Sequence, residues 1–552
     1  MQYLARGNAR GGFVFQFRSK LITPEEAAAL IPSGATIAAS AMGLAGWAEE
    51  VALALRDRFL STGQPRNLTF VHSTGLGNWK DKGAHHLAHE GMVTKWVGGH
   101  IGCSPEFAKL VMQNKCEGYC LPQGVIVHLY REIAAKRPGV LTKVGMHTFV
   151  DPRVEGGRLN SISNQDYVKV VEFEGDEYLF YKSFLINVAL IRGTVADENG
   201  NLTEDGEGVL LEALPVAQAA KNYGGIVIAQ VEHVAKLGSL HPKHVKVPGV
   251  LVDYIVVGKP ENHFQTMGTY YEPAFAGELK TPLGTIPKLP FDERIFIARR
   301  AAMELTPGAI VNLGIGIADG IASVAADEGI SELMTLTTEL GNVGGVPGNG
   351  LDFGHAYNSE ATIEHQSQFD WYDGGGLDLA FLGLAEADQF GNVNVSKFRG
   401  RAIGCGGFID ITQGSKKVVF CGTFTAQGLK VSADRGKLVI LQEGKTRKLL
   451  KNVEQITFSG KYANKNSQPV FYITERAVFT LENGEVTLKE IAPGIDLDKD
   501  VLQQMEFTPQ IARDLKRIPQ ELFRPTWGGL RRMIEEGTKQ GNPRLEVCTV
   551  PG

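Results

Sequence analysis

The stretch Leu333-Met-Thr-Leu-Thr-Thr-Glu-Leu-Gly-Asn-Val-Gly-Gly-Val-Pro-Gly-Asn-Gly-Leu-Asp-Phe-Gly354 begins as a strand and breaks up into glycine. Leu333–Thr338 mixes threonine with aliphatic side chains, the composition of a half-buried strand. Glu339 closes the run, and six glycines follow it within the stretch. A carboxylate at the carboxyl end of a strand, set against backbone that carries no side chains, can meet a bulky electrophile closely. The plainer alternative is an exposed loop glutamate.

Runs of the same kind recur at Ala35–Ala39, Leu68–His72, Gly225–Val231, Ile310–Leu313 and Lys417–Phe420, with helical stretches such as Val209–Tyr223 between them. Alternating strand and helix predicts an α/β fold with mainly parallel sheets. Such sheets take ligands at the carboxyl ends of their strands, where the glycine loops fall. A chain of 552 residues predicts more than one domain. Pro282, Pro287 and Pro290 fall within residues 277–291 and favour an extended connector, which divides the chain into domains 1–285 and 291–552.

The two sides of that connector carry weak internal repeats, so the expected architecture is two related open α/β domains. Gly34-Ala35, in Pro32-Ser-Gly-Ala-Thr-Ile-Ala-Ala-Ser-Ala-Met-Gly43, aligns with Gly308-Ala309 in Thr306-Pro-Gly-Ala-Ile-Val-Asn-Leu-Gly-Ile-Gly316. Ala196-Asp-Glu-Asn-Gly-Asn201 resembles Ala387-Asp-Gln-Phe-Gly-Asn392, and Thr74-Gly-Leu-Gly-Asn78 resembles Thr338-Glu-Leu-Gly-Asn342. The second pair is closer in sequence than the first, so the first half carries extra residues between its two matches. In the third pair Glu339 stands where the first half has Gly75.

Bulk properties exclude several function classes. Residues are 43% hydrophobic and 21% charged, enough for ordinary packed cores. A net charge of −5 provides no basic stripe for nucleic acid or a membrane surface. No apolar run is long enough to span a bilayer. Residues 1–20 hold Arg6, Arg10, Arg18 and Lys20 without an acid and lack a secretory apolar run, leaving an organellar transit segment as the alternative to a cytoplasmic location. Six scattered cysteines with no CxxC read as reduced thiols. His85, His86 and His89 read as a solvated helix face, not a metal site. Gly314, Gly316 and Gly320 are spaced GxGxxxG, one residue too long for a dinucleotide fingerprint.

The Glu339 segment resembles the active-site strand of family I coenzyme A transferases, in particular the single-chain group acting on short acyl chains. The resemblance spans nearly the whole chain and includes Leu121-Pro-Gln-Gly-Val125, Thr148-Phe-Val-Asp-Pro-Arg153, Gly404-Cys-Gly-Gly-Phe-Ile-Asp-Ile411, Tyr472-Ile-Thr-Glu-Arg-Ala-Val-Phe479 and Ala492-Pro-Gly-Ile-Asp-Leu497. It implies that Glu339 is a covalent nucleophile. Gln123 and the Gly407 amide would then stabilise the oxyanions formed when carbonyls are attacked. Gly314, Ile315, Gly316, Asn392, Gly404 and Gly406 would contact coenzyme A. The resemblance further implies no permanently bound cofactor, with coenzyme A serving as co-substrate and covalent intermediate. The partners would be acyl-CoA and small carboxylates, and the assembly a homodimer or homotetramer. Two departures bear on the acyl pocket: Leu340 follows the nucleophile where relatives often have a smaller residue or proline, and Ser40-Ala-Met-Gly43 replaces a more glycine-rich loop. The rival readings are an acyl-CoA hydrolase on the same scaffold and a non-catalytic binding protein.

Overall fold

A computed structural model describes residues 3–7, 13–17, 19–282 and 289–538. The side chains of the basic N-terminal segment up to Arg18, the middle of the proline-bearing connector and Cys548 lie outside the described residues.

Two large sheets organise the chain. The first contains β1 (Thr36–Ala39), β2 (Leu68–Gly75), β3 (Val93–His100), β4 (Glu117–Cys120), β5 (Val188–Arg192), β6 (Ile226–Val231) and β7 (Tyr254–Val257), in the spatial order β7-β6-β5-β1-β2-β3-β4. Every neighbouring pair is parallel. The second contains β8 (Ile310–Leu313), β9 (Thr335–Thr337), β10 (Leu379–Gly383), β11 (Val418–Cys421), β12 (Val470–Ile473), β13 (Ala477–Glu482), β14 (Glu485–Ile491) and β15 (Gln510–Arg517). Its parallel part runs β12-β11-β10-β8-β9, the order of β7-β6-β5-β1-β2 repeated. Beyond β12 the sheet turns antiparallel through β13 and β14.

The central strands are apolar without alternation because both faces are covered. All five residues of β5 and all four of β11 are buried. Each sheet has its own core. One core draws on residues 27–256 and borrows Ala402, Cys405 and Ile409 from the second half; the other draws on residues 295–534 and borrows Val127. A third, small cluster lies between them: Met42, Ala45, Val209, Leu211 and Met267 from one side meet Leu340 from the other, with Phe353 packed against it.

The repeat Ala196–Asn201/Ala387–Asn392 is a clasp built twice. Asp197 Oδ1 accepts from the amides of Asn199 and Asn201 at 2.9 and 3.0 Å, while Asn201 Nδ2 donates to Oδ2 at 2.8 Å. Asp388 Oδ1 accepts from the amides of Phe390 and Asn392, both at 3.0 Å, and Asn392 Nδ2 donates to Oδ2 at 3.0 Å. Each asparagine oxygen then accepts a distant glycine amide, Gly249 for Asn201 and Gly460 for Asn392.

Three elements differ from expectation. The helix expected over Val209–Tyr223 forms only as Ala213–Asn222. Val209 and Leu211 are drawn into the third cluster, and Leu210 O accepts the His365 amide at 2.8 Å, which holds this segment out of helical geometry. The strand expected over Leu333–Thr338 shortens to β9 because Ser331–Leu333 forms a 3₁₀ turn. The histidines at 85–89 do not form a solvated helix face. Ala84–Leu87 is a single 3₁₀ turn, and His86 is buried with its Nε2 2.9 Å from Glu49 Oε1.

Candidate active site

The carboxyl ends of β2, β3, β8 and β10 and the turn after β9 face one another across a cleft of about 260 Å³. Glu339 sits in that turn. The turn is closed by Thr338 and Asn342: the Thr338 amide donates to Asn342 O at 3.0 Å, and the Asn342 amide donates to Thr338 Oγ1 at 3.3 Å. Gly341 has φ +106°, and a Cβ there would lie 2.0 Å from Ile363 O, so no other residue fits.

From this turn the Glu339 carboxylate reaches the cleft floor, open to the cleft on one side. Burial holds its pKa above the ordinary carboxylate range, opposed by the hydrogen bond from Gln123. Gln123 Nε2 donates to Glu339 Oε1 at 3.3 Å. Gln123 is the first residue of the helix Gln123–Ala134, which starts beyond β4 behind Pro122. It comes from the opposite half of the chain, and its own amide donates to Gly406 O at 3.0 Å.

The Gly404–Gly407 loop closes the other side. Gly404 donates to Ser396 O and Gly406 to Gly99 O, so both amides are spent on backbone. The Gly407 N–H has no protein acceptor among the described residues. A Cβ at Gly407 would lie 2.7 Å from Glu339 Oε2 and 3.1 Å from the Phe369 ring. The loop therefore runs its bare backbone against the carboxylate.

Gly314 and Ile315 line the cleft where β8 ends, and Ile315 leaves 51% of its surface open there. Gly316 lies one residue beyond the lining and turns the chain at φ +97°. Asn392 is not brought to the cleft. It is buried in the clasp with Asp388, its amide and oxygen both engaged. Leu340 does not wall the cleft either; it packs behind it in the third cluster.

Sequence reasoning missed the apolar wall: Met42, Trp79, Met267 and Phe353 line the same cleft. It also missed His100 and Cys103, whose Nδ1 and Sγ are 3.7 Å apart. Burial pushes the His100 pKa down to about 4 and the Cys103 thiol up to about 12, so at neutral pH this pair presents a neutral imidazole and an unionised thiol, not a competing nucleophile. Trp79 adopts φ +62°, in the left-handed region, at the cleft rim. His365, which bonds Gln123 from behind, and Glu212, which bonds His365, were missed as well.

A carboxylate lies between a donor amide and a glycine loop at the carboxyl ends of two repeated parallel sheets, and the chain belongs to the coenzyme A transferase family. Residues 21–258 match the family described as Coenzyme A transferase. The chain is 56% identical over 518 residues to a caffeate CoA-transferase of Acetobacterium woodii, covering 93% of this chain and 99% of that protein. It is 44% identical over 517 residues to the acetate CoA-transferase YdiF of Escherichia coli K12, covering 92% and 95%. The crystal structure of the YdiF apoenzyme from E. coli O157:H7 superposes with a TM-score of 0.88 at 43% identity, over 93% of this chain and 97% of that one. The same enzyme has been solved as a thioester complex with CoA, with a TM-score of 0.87.

Proposed function

We propose that this chain moves coenzyme A between short monocarboxylic acids, of the acetate, propionate and butyrate class, by a ping-pong mechanism through a glutamyl-CoA thioester on Glu339. One observation carries the reading: the Glu339 carboxylate lies at the floor of a cleft with Gln123 Nε2 3.3 Å from Oε1 and Gly407 against Oε2.

The chemistry follows from that placement. Oε2 attacks the acyl-CoA carbonyl and the thiolate of CoA leaves, giving a mixed anhydride. The thiolate then attacks the glutamyl carbon, the acid departs with the bridging oxygen, and a thioester remains on Glu339. An acceptor acid runs the sequence backwards. One thioester is exchanged for another, so no nucleotide hydrolysis is required. Each attack loads charge onto a carbonyl oxygen. Gln123 already donates to Oε1, the oxygen that stays on the enzyme, and the free Gly407 N–H is the second donor. Gly314, Ile315 and Gly316 receive part of the coenzyme, while Gly404 and Gly406 shape the loop through their backbone bonds. The assembly is a homo-oligomer, and the domain boundary lies in the connector at 277–291, between the last strand of the first sheet and the first of the second.

The test is intact-mass measurement after incubation with acetyl-CoA. Wild type gains the mass of CoA and Glu339→Ala does not; equal adducts on both would place the nucleophile elsewhere. Measuring free thiol with and without acceptor acid separates transfer from hydrolysis, because thiol release independent of acceptor means a hydrolase.

A second reading of the acid is favoured by the apolar wall. Met42, Trp79, Met267 and Phe353 offer a surface that an acetyl group leaves uncovered but an arylpropenoic acid would fill, and one relative is a caffeate CoA-transferase. Competition between acetate and caffeate as acceptors for one acyl-CoA donor tells the two apart.

A further inference from the structure

Behind Gln123 a line of hydrogen bonds runs away from the nucleophile. Gln123 Nε2 lies 3.0 Å from His365 Nε2, His365 Nδ1 lies 2.8 Å from Glu212 Oε2, and Ser73 Oγ donates to Glu212 Oε1 at 2.6 Å. All four side chains are buried. The line alternates between the halves: Ser73 and Glu212 belong to the first, His365 to the second, Gln123 to the first and Glu339 to the second. His365 and Gln123 each begin a helix, and the two helices pack together. Each is also pinned by its main chain to the opposite half, His365 to Leu210 O and Gln123 to Gly406 O.

The direction of this line is set by chemistry. A carboxylate only accepts, so the His365 proton facing Glu212 must sit on Nδ1. Gln123 Nε2 donates to Glu339 Oε1, so the same NH₂ group faces His365 Nε2, which accepts its other hydrogen. That fixes the carboxamide with its NH₂ end toward both His365 and Glu339, and the second hydrogen is aimed at Oε1. With the proton on Nε2 instead, Gln123 would have to turn its oxygen to the ring. A carbonyl oxygen would then face the Glu339 carboxylate, where it can stabilise no oxyanion.

We infer that His365, oriented by Glu212, is a positioning residue for the transfer reaction: it holds the Gln123 carboxamide in the one orientation that donates to Glu339. The inference rests on the reading of Gln123 as an oxyanion donor given above. It explains why a fully buried glutamate and histidine stand beside the nucleophile although neither reaches the cleft lining.

The experiment is a double-mutant cycle with His365→Asn and Gln123→Ala, following kcat and KM for acyl-CoA. Asparagine keeps a donor for Glu212 near the place of Nδ1 and removes the acceptor at Nε2. H365N is expected to lower kcat by about 10-fold or more, with KM changed by less than about twofold, and to cause no further loss once Gln123 is alanine. His365→Gln, which can offer its amide oxygen near the position of Nε2, is expected to recover most of the loss. The same fold-loss from H365N in both backgrounds would mean that His365 acts only through general packing, and the inference would fall. If Q123A itself left kcat unchanged, the fault would lie with the oxyanion reading of Gln123. Should H365N not fold, as judged by its melting curve, His365→Gln against His365→Met makes the same comparison: equal kcat in those two would overturn the proposal.

Discussion

The two halves of this molecule share five parallel strands in one order and an Asp–Asn clasp repeated bond for bond, yet only one of them carries a carboxylate at the strand end, the proposed nucleophile Glu339. Where β9 gives way to Glu339, the matching strand β2 ends in Gly75. A Cβ at Gly75 would lie 2.7 Å from Cys103 Sγ and 2.9 Å from His100 Nδ1. The first half has filled with packed side chains the space that the second half leaves for a reacting carboxylate. It contributes instead what acts on that carboxylate: the Gln123 amide and, with Phe353 from the other half, most of the apolar wall. The two sheets offer equivalent strand ends, and in the proposed reaction they take different tasks.

This division of labour can be broken by substitution, and the largest effect is expected at the proposed nucleophile, Glu339. Glu339→Ala should lower kcat by on the order of 10⁴-fold or more, assayed as acyl transfer to acetate, since a covalent route has no substitute. Gln123→Ala comes next, at about 10²–10³-fold in kcat. It should also move the acidic limb of the kcat/KM–pH profile to higher pH. The carboxylate must be ionised to attack, burial already raises its pKa, and losing the donated hydrogen bond raises it further, so activity is lost earlier as pH falls. A limb that moves the other way would show that Gln123 does not bond the ionised form.

Paired glycine substitutions sharpen the comparison. Gly407→Ala pushes a methyl against Glu339 Oε2 and should cost about 10²-fold in kcat by displacing the reacting atom. Gly75→Ala pushes against Cys103 and His100 and should appear chiefly as a lowered melting temperature, equivalent to about 1–3 kcal/mol of overpacking. The smallest effect on turnover belongs to the clasps. Asn392→Ala and Asn201→Ala should each cost about 1–3 kcal/mol in denaturant unfolding while leaving KM for acyl-CoA unchanged, because each removes a donor from a buried aspartate oxygen and neither lines the cleft. A raised KM in N392A alone would return Asn392 to the coenzyme site.

Much of this was legible in the residues. Strands such as Ile310–Leu313 could be placed because short, mainly aliphatic runs between glycines leave few alternatives, and the resemblance carried by Gln123 and Gly404–Gly407 pointed to both loops that reach Glu339. The clasp at Asn392 was illegible because an asparagine that clasps an aspartate has the same local pattern as one that meets a ligand; the matching bonds at Asn201 reveal this structural task. The start of the helix at Ala213 was illegible because a contact with His365, far along the chain, decides it. Glu212 and His365 gave no signal for the same reason. Each looks like an ordinary polar residue beginning a helix, and their meaning arises only when the two halves are docked.

The alternation of that buried line between halves has a consequence for the newly made chain. Synthesis finishes the first half before Glu339 exists, and the second half, folded by itself, would have Glu339 without its donor amide. If Glu339 and Gln123 act together as proposed, reactivity toward acyl-CoA arises only when the two halves dock.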